Sequence, residues 1–114
     1  SLRARCDKLA RELCRFLAGG KCALCGKVGP TDWAHVFARR HYSVRWSMDN
    51  CRALCRTCHS YFTTHPAEWY WWLRQRMGVR LDDLERRAND RWPGDYPEVL
   101  RALTEELARV RGRR

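Results

Sequence analysis

Long hydrophobic runs are missing from this sequence. Its longest unbroken apolar stretch is Trp69–Leu73, whereas a membrane-spanning helix needs about 20 apolar residues. No membrane partner is therefore expected. Acidic side chains are scarce: 13 Asp and Glu stand against 23 Lys and Arg, a formal net charge of +10. Internal repeats and low-complexity tracts are absent, and 45% hydrophobic with 11% aromatic residues excludes a disordered basic tail. The first residues alternate charge with apolar side chains from Leu2 onward, unlike a signal peptide, so a cytoplasmic location is expected. At 114 residues the expectation is a single domain, 1–114, with a modest core that a metal staple would support.

The positive charge is uneven. Residues 1–60 carry twelve Lys and Arg against four Asp and Glu, a net +8, while residues 61–114 net only +2. A basic half on a folded body points to a polyanion, most often nucleic acid.

Seven cysteines, an odd number without a secretory signal, argue against a disulfide framework. Two pairs have the C-x-x-C spacing, Cys22 with Cys25 and Cys55 with Cys58. Two such pairs in one short chain fit a structural zinc bound tetrahedrally by four thiolates. Cys6, Cys14 and Cys51 read as small buried hydrophobes.

The pattern predicts an α+β, mainly helical chain. Residues 2–18 read as an amphipathic helix through Cys6, Leu9, Leu13, Phe16 and Leu17, stopped by Gly19-Gly20. A core spanning 21–65 holds both cysteine knuckles. In it, Asp32 to Phe37 reads as a strand, 38–49 as a loop, Asn50 to Leu54 as a second strand, and Cys55 to Phe62 as a short helix. A helical extension, 66–114, follows. Pro66 starts a helix that Gly78 ends, with Trp69, Trp72, Leu73 and Met77 on its core face and Tyr70 or Trp71 outside. A short helix runs from about Asp82 to Asp90. Asp95 caps a last helix striped by Val99, Leu100, Leu103, Leu107 and Val110. The basic end, 109–114, is expected to fray.

The two cysteine pairs enclose more than a simple zinc ribbon needs. C22-x-x-C25, A34-H35 on a strand, D49-N50, and L54-C55-x-x-C58-H59 follow one another in that order. This arrangement resembles the HNH nuclease family with its ββα-metal fold. AHVFARRHYSVRW followed by DNCRALCRTCHSYFTTHPAEW is similar to the small HNH proteins of phages and prophages. The resemblance covers roughly residues 20–77 and leaves the first and last helices outside. It implies a zinc-stapled ββα-metal core and hydrolysis of DNA phosphodiesters to 5′-phosphate and 3′-hydroxyl ends. It also implies a role in phage DNA processing or packaging, with the corresponding proteins as partners.

Phosphodiester hydrolysis needs a base to activate water and a cation to stabilise charge on the phosphate. The resemblance makes His35 the base. Asn50, the middle letter of the motif, would either ligate the catalytic metal or pin the loop by hydrogen bonds. His59 competes as a zinc ligand, but consecutive helix residues point about 100° apart, so Cys58 and His59 face different directions. His59 is therefore assigned to a second, catalytic metal. Mg²⁺ or Mn²⁺ suits phosphate chemistry, and a His–Asn site also accepts Ni²⁺, Co²⁺ or Zn²⁺. Many family members carry a metal-ligating Asp or His where this chain has Ala34. Asp32, on the same strand face as Ala34, and His41, from the loop, are the alternative ligands. Arg39, Arg40 and Arg45 read as DNA backbone clamps, because guanidinium groups match phosphate oxygens bidentately.

Overall fold

The computed structural model describes residues 1–112 and has a mixed, mainly helical architecture. Helix α1 spans Leu2–Leu17, its first turn capped by the Ser1 hydroxyl accepting from the Ala4 N–H at 3.2 Å. It stops where Gly19 and Gly20 take positive φ, +68° and +72°, a region closed to most side chains. Its buried face is Cys6, Ala10, Leu13 and Cys14. Leu9 and Phe16 are half-buried, while Leu17 is exposed, one step off the apolar stripe expected for it.

Strands β1 (Asp32–His35) and β2 (Cys51–Leu54) pair antiparallel, with Asp32 opposite Leu54 and His35 opposite Cys51. β1 is two residues shorter than the sequence pattern predicts. The reason is Asn50: its Oδ1 accepts the Phe37 N–H at 2.8 Å and its Nδ2 donates to the Phe37 carbonyl at 3.0 Å. A side chain thus takes the place of a further rung of the ladder. The loop between the strands ends in one 3₁₀ turn, Met48–Asn50.

Helix α2 (Arg56–Thr64) follows β2 at once, with Cys55 as its N-cap residue. Helices α3 (Pro66–Met77), α4 (Arg80–Ala88) and α5 (Tyr96–Arg111) complete the chain. Leu73 and Met77 of α3 are buried, Trp69 and Trp72 half-buried, and Tyr70 and Trp71 exposed, as the helical period predicts. Asp95 caps α5 by accepting the Glu98 N–H at 3.0 Å, and Leu103, Leu107 and Val110 turn inward. α5 stays helical to Arg111, so fraying does not begin at Arg109; Arg113 and Arg114 lie outside the described residues. No helix among the described residues is long and apolar enough to cross a membrane.

The hairpin is the layer between two cores. Trp33, Cys51 and Ala53 pack with Cys6, Leu13 and Cys14 of α1 and with the α5 stripe. Ala34 and Leu54 face the other way and pack with Phe62 of α2 and with Cys22. This is strand alternation at work: successive side chains point to opposite faces. A third cluster, Val44 with Leu73, Met77, Leu81 and Leu84, seats α3 and α4 against the loop.

Candidate metal centre and active site

The sulfurs of Cys22, Cys25, Cys55 and Cys58 all lie within 4.8 Å of one another. Four thiolates about 2.3 Å from a tetrahedral zinc have sulfurs about 3.8 Å apart, and Cys25 and Cys55 stand at 3.9 Å. The four cysteines can hold a zinc ion with little movement. Local chain chemistry builds the site. The first knuckle is a tight turn in which Gly26, at φ +76°, donates its N–H to the Cys22 carbonyl at 2.9 Å. It is fastened to the sheet by the Ala23 N–H on the Ala53 carbonyl at 2.8 Å. The second knuckle is the first turn of α2. Burial pushes the Cys22 thiol up, but the backbone N–H groups of Cys25, Cys55 and Leu24 outweigh it and bring the thiol down to about 6. The first knuckle therefore favours a thiolate at Cys22, whereas burial and the neighbouring sulfurs push the Cys58 thiol up to about 12, so it holds its proton until a cation takes its place. Cys6, Cys14 and Cys51 are buried away from this cluster.

His59 leaves α2 in a different direction from Cys58. Its Nδ1 donates to Asp32 Oδ2 at 2.9 Å, which leaves the lone pair of a neutral ring on Nε2. Arg56 reaches the other oxygen of Asp32 at 3.3 Å. Asp32 is thus brought to His59, one strand step from Ala34, which is buried and offers no ligand atom. His41 is not: its Nδ1 bonds the Ala88 carbonyl at 3.1 Å, tying the loop to α4. An octahedral cation about 2.1 Å from an adjacent oxygen and nitrogen holds them about 3.0 Å apart. The 2.9 Å spacing of Asp32 Oδ2 and His59 Nδ1 matches, but it is also that of their hydrogen bond, so the pair would hold a cation together only in the tautomer with the hydrogen on Nε2 and the lone pair on Nδ1. Among the described residues no third His, Cys, Asp or Glu joins this pair.

Asn50 is completely buried and both ends of its amide are spent on Phe37, so of the two roles open to it the geometry is that of the loop pin, and its place among the metal ligands is corrected. Arg45 is likewise not a phosphate clamp. It is 8% exposed, and its Nε and Nη2 donate to the two oxygens of Asp7 at 2.9 and 2.7 Å. The Trp46 indole N–H adds a third bond to Asp7 at 2.8 Å. The cause is α1, which delivers a half-buried carboxylate opposite the loop. Nothing in the loop's own pattern announced that partner. Arg39 and Arg40 are exposed, with the Arg39 guanidinium 5.3 Å from the centre of the Trp33 ring.

His35 packs edge-on against Trp33, ring centroids 4.1 Å apart, and lies 3.2 Å from the Arg45 carbonyl through Nε2. A carbonyl only accepts, so Nε2 carries the hydrogen and Nδ1 the lone pair. Burial pulls the ring's pKa from 6.5 to about 4, so it is neutral at pH 7. His35 and His59 are not gathered on one face. Trp33 and His35 face α1, whereas Asp32 and Ala34 face α2. Asp32 and His35 are also three residues apart, about 10 Å along a strand. No family model, no curated protein and no solved structure matches this chain.

Proposed function

We propose that the protein is a metal-dependent HNH-type endonuclease acting on DNA. One observation carries this reading: an antiparallel hairpin is followed directly by a helix, with His35 on the first strand, Asn50 pinning the loop from its 3₁₀ turn and His59 on the helix. That is the arrangement which the sequence resemblance implies. Four cysteines that can hold a structural zinc brace the unit from behind. In this reading His59 and Asp32 would hold a divalent cation such as Mg²⁺ or Mn²⁺, and such a cation would neutralise charge on the phosphate. His35, on the other face of β1, is the base in this reading: it would take a proton from water on Nδ1, which requires a rearrangement of β1 that brings the ring to the cation. The resulting hydroxide attacks phosphorus, the bond to the 3′-oxygen breaks, and that oxygen leaves with a proton from solvent. Asn50 fixes the loop that carries the Arg45 carbonyl, and that carbonyl holds the His35 tautomer.

A second reading, a non-catalytic zinc module that binds DNA, draws on two observations: Ala34 carries no ligand atom, and His35 and His59 occupy opposite faces of β1. Nicking of supercoiled plasmid with added Mg²⁺ or Mn²⁺ separates the two. Cleavage that EDTA abolishes supports the nuclease; tight binding without cleavage at any metal concentration supports the module.

A further inference from the structure

The positive charges of this molecule differ in whether a carboxylate neutralises them. On the C-terminal helices, Arg74, Arg86, Arg101 and Arg109 are each paired with a nearby Asp or Glu. On α1, Lys8, Arg11 and Arg15 are exposed and form no ion pair among the described residues. Spacings of three and four put these three on one helix face, beside the face that buries Ala10 and Cys14. Of the two neighbouring carboxylates, Asp7 is paired with Arg45, and Glu12, on the same helix face, with Arg111 at 3.4 Å.

This face adjoins the candidate active site. Arg11 and Arg15 line a small cleft whose other walls include Thr31, Asp32 and Trp33 at the start of β1. Arg39 reaches the same tryptophan from the loop, 5.3 Å from its ring centre. At the far wall, Asp32 is the partner of His59. Free cations thus border β1 from two elements, one of them outside the region that resembles HNH proteins.

We infer that α1 is a DNA-binding element: Lys8, Arg11 and Arg15, with Arg39, form a basic track that holds the phosphate backbone of duplex DNA alongside β1. The inference rests on the DNA reading above and names the surface used. Free guanidinium and ammonium groups bind phosphate and release condensed counterions, whereas arginines already paired with carboxylates gain little by doing so. The track replaces Arg45, whose charge is internal, and it recruits a helix that no motif marks.

The test is binding of a fluorescent 20-base-pair duplex (about two helical turns) by the zinc-loaded chain without added Mg²⁺ or Mn²⁺, across a salt series. The variant Lys8→Gln/Arg11→Gln/Arg15→Gln keeps good helix formers at exposed positions. The control Arg86→Gln/Arg101→Gln/Arg109→Gln removes the same charge from paired sites. The α1 variant should bind about tenfold or more weakly, and its log–log salt slope should flatten by about 2 to 3, near 0.9 per lost phosphate contact. The control should bind nearly as the wild type. Wild-type affinity and slope in the α1 variant, with plasmid nicking or duplex binding by the wild type intact, would overturn the α1 track and leave the DNA reading standing. Equal weakening in both variants would also overturn it, reducing the effect to net charge. A wild type that neither binds nor nicks DNA removes both. Arg11→Gln and Arg15→Gln singly, checked by melting temperature, carry the same comparison if the triple variant unfolds.

Discussion

At the scale of single residues, His35 and Arg45 show how a partner fixes a role. The sequence marks both as polar residues near the motif, but their fates diverge because α1 supplies Asp7. Removing Asp7 leaves a buried guanidinium without its counter-charge, so Asp7→Ala should cost about 3–5 kcal/mol, read by urea unfolding. Arg45→Ala should likewise lower stability, and a stable Arg45→Ala protein with weakened DNA binding would return Arg45 to the interface. For His35, a base acts in the transition state, so His35→Ala should slow nicking about 10²–10⁴-fold and leave duplex affinity unchanged. Only the neutral ring accepts a proton, so wild-type cleavage should persist below pH 6.5 and be lost through about pH 4. The same shift acts on folding. Between about 6.5 and about 4 the unfolded chain binds a proton at His35 that the folded chain does not. Stability therefore falls as pH drops through that window, and this component should vanish in His35→Ala when melting curves at pH 7 and pH 4.5 are compared.

At the scale of elements, local chemistry was legible and tertiary partners were not. Gly19-Gly20, Pro66, Gly78 and Asp95 mark helix ends that the structure keeps within a residue or two. The two C-x-x-C spacings located a cluster whose members are 30 residues apart in the chain, as with Cys25 and Cys55. Strand propensity carries β1 on to Phe37, but the structure ends it at His35 because the Asn50 side chain takes the next rung, a competition invisible to propensity. The Asp32–His59 pair was half visible: strand alternation put Asp32 on the face of Ala34, but its reach to α2 needed the fold. The role of α1 had no signal beyond its spacing of basic residues. The knuckles themselves bear a prediction. Residues 21–31 have no helix or strand beyond the Lys21–Val28 bridge, and Ala23 to Val28 are exposed, so a few backbone hydrogen bonds and the cluster order them. Chelation of zinc, or Cys22→Ser, should therefore melt the first knuckle and loosen the hairpin it is fastened to. Loss of zinc with an unchanged far-UV spectrum and melting temperature would deny the cluster a structural role.

At the scale of the whole molecule, the hairpin is shared property. One face of β1 and β2 completes the core of α1 and α5, and the other completes the core around Phe62 and Cys22. Neither core can dissolve without exposing strand residues of the other, so the chain should unfold in one cooperative step, as small single domains usually do. Helices α1 and α5 and the cysteine cluster are linked through this layer, since the hairpin contributes side chains to both cores. Leu107, 4% exposed on α5, is far in sequence from every cysteine of the cluster. Leu107→Ala leaves a cavity in the α1–α5 core and should cost about 2–5 kcal/mol. If the hairpin transmits that loss, zinc release, followed with a chromogenic chelator, and loss of helix, followed by far-UV circular dichroism, should shift together to lower denaturant. Two separated transitions, with helix lost first and zinc retained, would show instead that the terminal helices form a layer that folds independently of the metal-bound hairpin. The coupling bears on function as well, because the basic face of α1 keeps its place beside β1 only while α5 completes the core that α1 shares with the hairpin.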